Sequence, residues 1–215
     1  MNEMLAQWLA LLPDPVADHV PALALAAALS WGAGLRLYLV VFAFGLLGRL
    51  GWWPLPENLE LLAHPAVLAA SGFMAIVELA ADKIPWIDSA WDAVNTFIRI
   101  PAGAALAAAV FGDSGAAWTL AAALLGGTLT ATTHFAKSGT RAAVNTSPEP
   151  LSNLALSLGE DAGVVGGLWL ALAHPLLFLA ALLVFLVAAV LLLRAIARGL
   201  RRLFGTGRAP SAADR

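Results

Sequence analysis

The stretch "ALALAAALSWGAGLRLYLVVFAFGLLG", residues 22–48, decides the class of this protein. A helix that crosses the hydrocarbon core of a bilayer needs about 20 mostly apolar residues, so the stretch predicts a membrane helix. Its centre, "SWGAGLR" at 30–36, contains two glycines and an arginine, which predicts a break or kink. An ionised side chain at that depth costs about 2.5–3.5 kcal/mol in lipid. Arg36 therefore needs a carboxylate partner. The candidates are Glu78, Glu160 and Asp161.

The composition of the whole chain agrees with a protein that has lipid as its solvent. Of 215 residues, 60% are hydrophobic and 12% are charged, whereas a soluble domain is about half apolar and a quarter charged. A formal net charge of -2 does not favour nucleic acid as a partner. The chain has no cysteine, which excludes a disulfide framework, a thiolate metal site and a cysteine nucleophile.

Further apolar segments follow residues 22–48 and predict more helices. The segment that begins at Pro101 is short, so it crosses the bilayer only if the amphipathic residues before it extend it, and otherwise it is re-entrant. No alternating strand pattern is present, and open sheet edges are not tolerated in lipid. We therefore predict an all-α, polytopic membrane helical bundle of five or six transmembrane segments with broken or re-entrant helices. The other apolar segments lie at about 65–82, 116–136, 152–172 and 176–198.

Three regions are expected along the chain: an N-terminal interfacial segment at 1–19, the helical bundle at 20–199 and a disordered tail at 200–215. The chain from 194 onward is rich in arginine, which places the C-terminus in the cytoplasm by the positive-inside rule. The motifs "GLR" at 34–36 and "GTR" at 139–141 lie near helix breaks, and an acidic pair follows each. An inverted repeat leaves such a trace.

Polar residues recur at helical spacing in several of the apolar segments. Such stripes are costly in lipid unless they face one another or water, so we expect them to line a shared polar interior. An ionisable residue inside the membrane is a functional-site hypothesis by default. The candidate residues for binding an ion or substrate are Arg36, Glu78, Asp82, His134, Lys137, Arg141, Asn153, Ser157, Glu160 and Asp161.

A second polar stripe follows Pro85, where Asp88, Asp92, Thr96 and Arg99 share one helix face. Two interpretations of this amphipathic helix stay open. The stripe is either the solvated face of a helix that lies at the membrane surface, or a face that dips into the polar interior.

The chain resembles a bacterial membrane family, domain-of-unknown-function family 4126, over residues 20–195. The resemblance rests on "GLRLYLVVFAFGLLGRLGW" (34–52), "AHPAVLAASGFMAIVELAADKIPWIDSAWDAVNTFIRIPAGA" (63–104), "THFAKSGTRAAVNTSPEPLSN" (133–153) and "ED" (160–161). It implies a bacterial inner (cytoplasmic) membrane protein and no particular activity.

The segment "ELAADK" (78–83) also resembles the acidic Glu-x-Gly-Asp-Lys signature of cation/proton exchangers that handle manganese and calcium. Ala80 and Ala81 stand in place of its single glycine. That resemblance implies a cation site.

Several functions are compatible with these features. We expect a secondary transporter or channel for a small ion, cation or proton coupled, in which protons compete with the cation for carboxylates. The alternative is binding or translocation of an anionic lipid or phosphate by interior Arg and Lys side chains. An intramembrane enzyme based on His134 and a purely structural protein are less favoured. No cofactor is expected. A divalent cation is a candidate substrate, with Glu78, Asp82, Glu160 and Asp161 as its ligands.

The expected partners are the lipid bilayer and a small ion or anionic substrate. Small residues permit close helix contact, within one chain or in a homo-oligomer. They are Gly126, Gly127, Gly163, Gly166 and Gly167.

Overall fold

The computed structural model describes residues 19–144 and 150–204, with backbone alone at 85–86, 143, 150–153, 200 and 202–204. The expected interfacial segment before residue 19 and the tail after residue 204 lie outside the described residues. Within them the chain is helical and contains no strand. The described residues form six α-helices: α1 (Val20–Arg49), α2 (Pro65–Ala81), α3 (Pro85–Val110), α4 (Ala116–Val144), α5 (Pro150–Ala173) and α6 (Pro175–Phe204). Short 3₁₀ helices occupy Glu57–Ala63 and Gly112–Ser114.

Length and composition make several of these helices suitable for crossing a membrane. Four of the described helices are long and apolar enough to do so alone. The 3₁₀ helix Glu57–Ala63 and α2 give a fifth candidate if the two, which meet at a bend of 66°, are counted as one span. The protein is thus an all-α, polytopic membrane bundle, as predicted. The four are Val20–Arg49, Ile87–Val110, Leu154–Ala173 and Pro175–Gly199.

Proline sets where many of the helices begin. Pro65, Pro85, Pro150 and Pro175 each occupy the first position of a helix, where a backbone N–H would have no partner within the helix. Pro101 is different because it lies inside α3, which continues to Val110. The short segment after Pro101 is therefore the second half of a long helix, and the re-entrant interpretation of it is wrong.

α1 breaks at Arg36, as the sequence predicts. This residue has φ -147° and ψ 72°, far from helical values. The two halves of α1 then pack on each other, because a Cβ atom added to Gly32 would lie 2.5 Å from Cγ2 of Val40. Two residues eight positions apart lie about 12 Å apart along a straight helix. α1 is therefore a helical hairpin with Arg36 at its tip.

The two ends of this hairpin lie at the same end of the bundle. His19, before the first half, packs its ring on Phe111 and Trp118. Asn58, after the second half, donates to Asp113 at 3.3 Å. We call this the aromatic end, and it also contains Trp52 and Trp53, which border one cavity with Leu172 of α5.

The opposite end of the bundle, the charged end, contains the turn at 82–84 between α2 and α3. Arg141, near the end of α4, contacts Asp82 and Asp88 on either side of that turn. Gly139 lies against Ile196 near the end of α6. The helices α2 to α6 therefore run alternately between the two ends, and the start of α1 and the end of α6 lie at opposite ends. Within the described residues, α1 alone turns back to the end at which it starts, although its length and composition suit a span.

The first half of α1 runs parallel to α4. Thr130 donates to the carbonyl of Ser30 at 2.8 Å, and Lys137 donates to the carbonyl of Leu35 at 2.8 Å. The helix that carries "GLR" and the helix that carries "GTR" thus point the same way. An inverted repeat relates its two copies by a two-fold axis in the membrane plane and would make them antiparallel. The two motifs do not mark an inverted repeat.

Candidate functional site

Arg36 places its guanidinium among carboxylates from two helices. It forms an ion pair with Asp82, and lies 2.8 Å from Asp161 and 3.3 Å from Glu160. Glu78 is 3.9 Å away. The three partners expected for Arg36 are therefore present, with Asp82 as a fourth. Only 2% of the Arg36 side chain is exposed, so these contacts replace water around the charge.

α4 contributes two more cations on the face predicted from its spacing. Arg141 contacts Asp82 at 3.1 Å and Glu160 at 2.8 Å. One turn earlier, Lys137 lies 3.4 Å from Glu160 and 3.6 Å from Glu78. Two cations on one helix therefore share acidic partners from α2 and α5.

The polar stripe of α3 faces the same interior. Asp88 is 1% exposed, Asp92 4% and Arg99 0%. Arg99 pairs with Glu78, and with Asp92 at 2.9 Å, while Asp88 lies 3.2 Å from Arg141. The interpretation of this stripe as the solvated face of a surface helix is wrong. It is an interior face, because α3 continues through Pro101 and is packed against α4 and α1.

His134 and Thr96 contact each other and the charged residues of α3. Nδ1 of His134 is 3.1 Å from Nη1 of Arg99, and Nε2 is 2.7 Å from Oγ1 of Thr96. The guanidinium can only donate, so Nδ1 accepts and the ring carries its proton on Nε2. Thr96 passes the hydrogen bond on to the carbonyl of Asp92 at 2.9 Å. These hydrogen bonds therefore connect Arg99, through His134 and Thr96, to the backbone of Asp92.

We call these ten charged side chains the ion-pair network. Among the described residues, six carboxylates meet four cations, which leaves a formal surplus of two negative charges. The carboxylates are Glu78, Asp82, Asp88, Asp92, Glu160 and Asp161, and the cations are Arg36, Arg99, Lys137 and Arg141.

Two fully buried carboxylate oxygens in the network have no hydrogen-bond donor among the described residues. They are Oε2 of Glu78 and Oδ1 of Asp82. Both residues are 1% exposed. A buried carboxylate oxygen without a partner is costly, so each of these atoms is a place where a proton or a cation would stabilise the protein.

The part of the chain that the structure describes contains no group of three or more His, Asp or Glu side chains arranged to hold a metal ion. Glu78, Asp82, Glu160 and Asp161, the four ligands expected for a divalent cation, are paired with guanidinium and ammonium groups instead. The geometry gives no support to a site for a divalent cation, and this role of the four residues stays a prediction.

The structure brings nine of the ten predicted site residues together. Asn153 is the tenth, and its side chain lies outside the described residues. Ser157 contacts both Arg36 and Asp82, at 2.6 and 3.2 Å. The residues that the site prediction omitted are Tyr38, Asp88, Asp92, Asn95, Thr96, Arg99 and Ser138.

In the sequence, the helical spacing of Asp88, Asp92 and Arg99 indicates that these α3 residues share one face and could join the site. No sequence pattern indicates Tyr38, because its contact with Asn95 at 2.9 Å depends on the hairpin turn of α1.

No curated protein and no solved structure matches the chain. The profile of the family described as Domain of unknown function (DUF4126) matches residues 23–195, which covers every helix except the first turn of α1 and the end of α6. The chain belongs to this family.

Proposed function

We propose that this protein is a secondary transporter or channel for a small cation, coupled to protons, and that Glu78 and Asp82 bind the transported ion. The proposal includes a bacterial inner membrane location with the charged end and the C-terminus in the cytoplasm. The arginines at 194, 198 and 201 of α6 lie toward that end, which agrees with the positive-inside rule.

The observation that carries this proposal is the pair of unpartnered oxygens on Glu78 and Asp82, inside a network with surplus negative charge. Two uncompensated charges in a buried site are unfavourable, and their binding of protons or of a cation removes that cost. Because the same oxygens can accept either one, a cation and a proton compete for them. This competition is the coupling step.

The ion pairs of Glu78 and Asp82 link the binding of a proton or cation to the packing of the helices. Asp82 contacts both Arg36 and Arg141, which belong to different helices. Glu78 contacts Arg99 and Lys137. Neutralising either carboxylate weakens its ion pairs, so the state of one proton affects the packing of α1, α3 and α4.

Binding of an anionic lipid or phosphate, the alternative from the sequence, has weaker support. Each of the four cations in the network already lies within 4.0 Å of at least two carboxylates. An anion would have to displace these partners and would add to the surplus negative charge. The Nε atoms of Arg36 and Arg99, which have no hydrogen-bond partner among the described residues, favour it.

Flux measurements in proteoliposomes test the proposal. Wild-type protein should move protons in response to an imposed gradient of sodium or potassium, and Glu78→Gln and Asp82→Asn should abolish this movement. Glu60→Gln is the matched control, because Glu60 is an exposed carboxylate outside the network. Flux that is equal in Glu78→Gln, Asp82→Asn and wild type would rule the proposal out.

A further inference from the structure

A lateral crevice of about 810 Å³ reaches the ion-pair network from the side of the bundle. It lies between α2 and α5, and the second half of α1 forms its floor with Leu39 and Phe42. At the charged end, the hydrogen bond from Ser157 to Asp82 at 3.2 Å joins the two walls. The crevice is therefore a slot along the bundle that ends at charged residues.

The walls of the crevice belong to the surface that faces lipid. Phe73 and Ile76 on α2 are 65% and 68% exposed, and Leu158 and Val165 on α5 are 56% and 51% exposed. Large apolar side chains exposed in the middle of membrane helices contact hydrocarbon. A molecule that enters here comes from the bilayer and must itself be partly apolar.

The base of the crevice is acidic. Arg36, Glu78 and Asp161 border it, and Arg36 is also held by Asp82 and Glu160. Oε2 of Glu78 has no hydrogen-bond donor among the described residues, and Glu78 is buried, with 1% of the residue exposed. Asp161 is the most exposed of the carboxylates for which ion pairs are seen, with 28% of its side chain accessible. The base therefore attracts a positive charge.

We infer that the crevice binds an organic cation with an apolar body, which enters from the lipid and places its charge against Asp161 and Glu78. The volume falls within the range of about 300–1,000 Å³ that is typical of small-molecule sites. A bare inorganic ion would gain nothing from the apolar walls. This inference rests on the proposed function, since it names the class of cation that competes with protons at Glu78.

Binding of tetraphenylphosphonium to the purified full-length protein, measured by calorimetry in detergent, tests the inference. Tetramethylammonium has the same charge without the apolar body, and tetraphenylborate has the same shape with a negative charge. Tetraphenylphosphonium should bind at least about tenfold more tightly than either, a difference of about 1.4 kcal/mol. Tighter binding of tetraphenylborate would overturn the inference and support an anionic amphiphile.

Two variants locate the site. Val165→Trp fills the crevice, and Asp161→Asn removes a charge from its base, so each should weaken binding of tetraphenylphosphonium by about tenfold or more. Val187→Trp, at a residue of α6 that is 54% exposed and away from the crevice, should not change binding. Unchanged affinity in both Val165→Trp and Asp161→Asn would overturn the inference. Val165→Trp leaves the network intact and keeps the test valid if Asp161→Asn does not fold.

The failure of this inference can be told apart from the failure of the proposed function. Proton flux that depends on Glu78 and is driven by an inorganic cation, without binding of tetraphenylphosphonium, would overturn the crevice site alone. Binding of tetraphenylphosphonium at the crevice, without proton movement in proteoliposomes under any cation gradient, would overturn the proposed function and retain the site.

Discussion

Arg36 and Asp82 form a buried ion pair that joins the break in α1 to the residue after the last turn of α2. The pair links the only hairpin tip in the described helices to the turn between α2 and α3. Arg36 has a non-helical backbone, and the guanidinium at this point is surrounded by carboxylates from α2 and α5. The break in α1 is thus a structural requirement of the network as well as a feature of its glycine-rich sequence.

Arg36→Met should destabilise the fold strongly. The substitution removes one cation that four carboxylates contact, and removal of one member of a buried ion pair typically costs about 3–5 kcal/mol. Thermal unfolding in detergent measures the loss. Because acid protonates the carboxylates and removes their repulsion, the loss should be smaller in acidic than in neutral buffer. Arg49→Met, at an exposed residue, should change little, and equal unfolding temperatures for the two variants would contradict the account.

Gly34→Ala should disrupt the contact between α1 and α4. A Cβ atom at Gly34 would lie 2.6 Å from the carbonyl oxygen of Thr130 and 2.7 Å from Cβ of Thr133, so the helices must separate. Overpacking of this kind costs about 1–3 kcal/mol in free energy of unfolding. Gly166→Ala is the control, since nothing lies within 4 Å of its added Cβ. A lower unfolding temperature in the control than in Gly34→Ala would be inconsistent with the described packing.

Single cysteines should show that both ends of α1 face the same side of the membrane. The chain has no cysteine, so each introduced thiol reports alone. His19→Cys and Trp52→Cys should react with a membrane-impermeant maleimide from one side, and Lys83→Cys, at an exposed residue of the α2–α3 turn, from the other. Labelling of His19→Cys and Trp52→Cys from opposite sides would mean that α1 crosses the bilayer and that the hairpin is wrong.

Asp88 and Arg141 should be energetically coupled. Their side chains are 3.2 Å apart and 1–2% exposed, which removes the solvent screening that weakens surface pairs. A double-mutant cycle of Asp88→Asn and Arg141→Gln should give a coupling free energy of about 0.5–3 kcal/mol. The exposed hydrogen bond between Asn58 and Asp113, tested with Asn58→Ala and Asp113→Ala, serves as the comparison and should give less. Additive effects in the Asp88–Arg141 cycle would show that the two groups do not interact.

Periodicity in the sequence predicts the helices and most of the network. The stripes of α4 and α5 face inward because charged groups in lipid must find partners, and that argument needs no structure. The same argument supplies the partners of Arg36. It also applied to Asp88, Asp92 and Arg99, but their amphipathic pattern fits a helix at the membrane surface as well as an interior one. A proline inside a helix removes one hydrogen bond and need not end the helix when both sides are packed.

The hairpin in α1 could not be read from the sequence. The glycines at 32 and 34 predict a break, but the direction of the chain after Arg36 depends on contacts that are remote in sequence. Gly34 lies against Thr130, and Gly45 lies against the carbonyl of Leu62. A stretch of suitable length and hydropathy therefore suggested a simple span, whereas the packing of both halves determines a re-entrant one.

In the proposed function, protons and a cation compete for Glu78 and Asp82. Proton release on addition of a cation, followed with a pH indicator in weakly buffered detergent solution, tests this most directly. Wild-type protein should release protons when sodium, potassium or tetraphenylphosphonium is added, and the Glu78→Gln/Asp82→Asn double variant should release none, while Glu60→Gln behaves as wild type. Proton release that is the same in the double variant as in wild type would contradict the account.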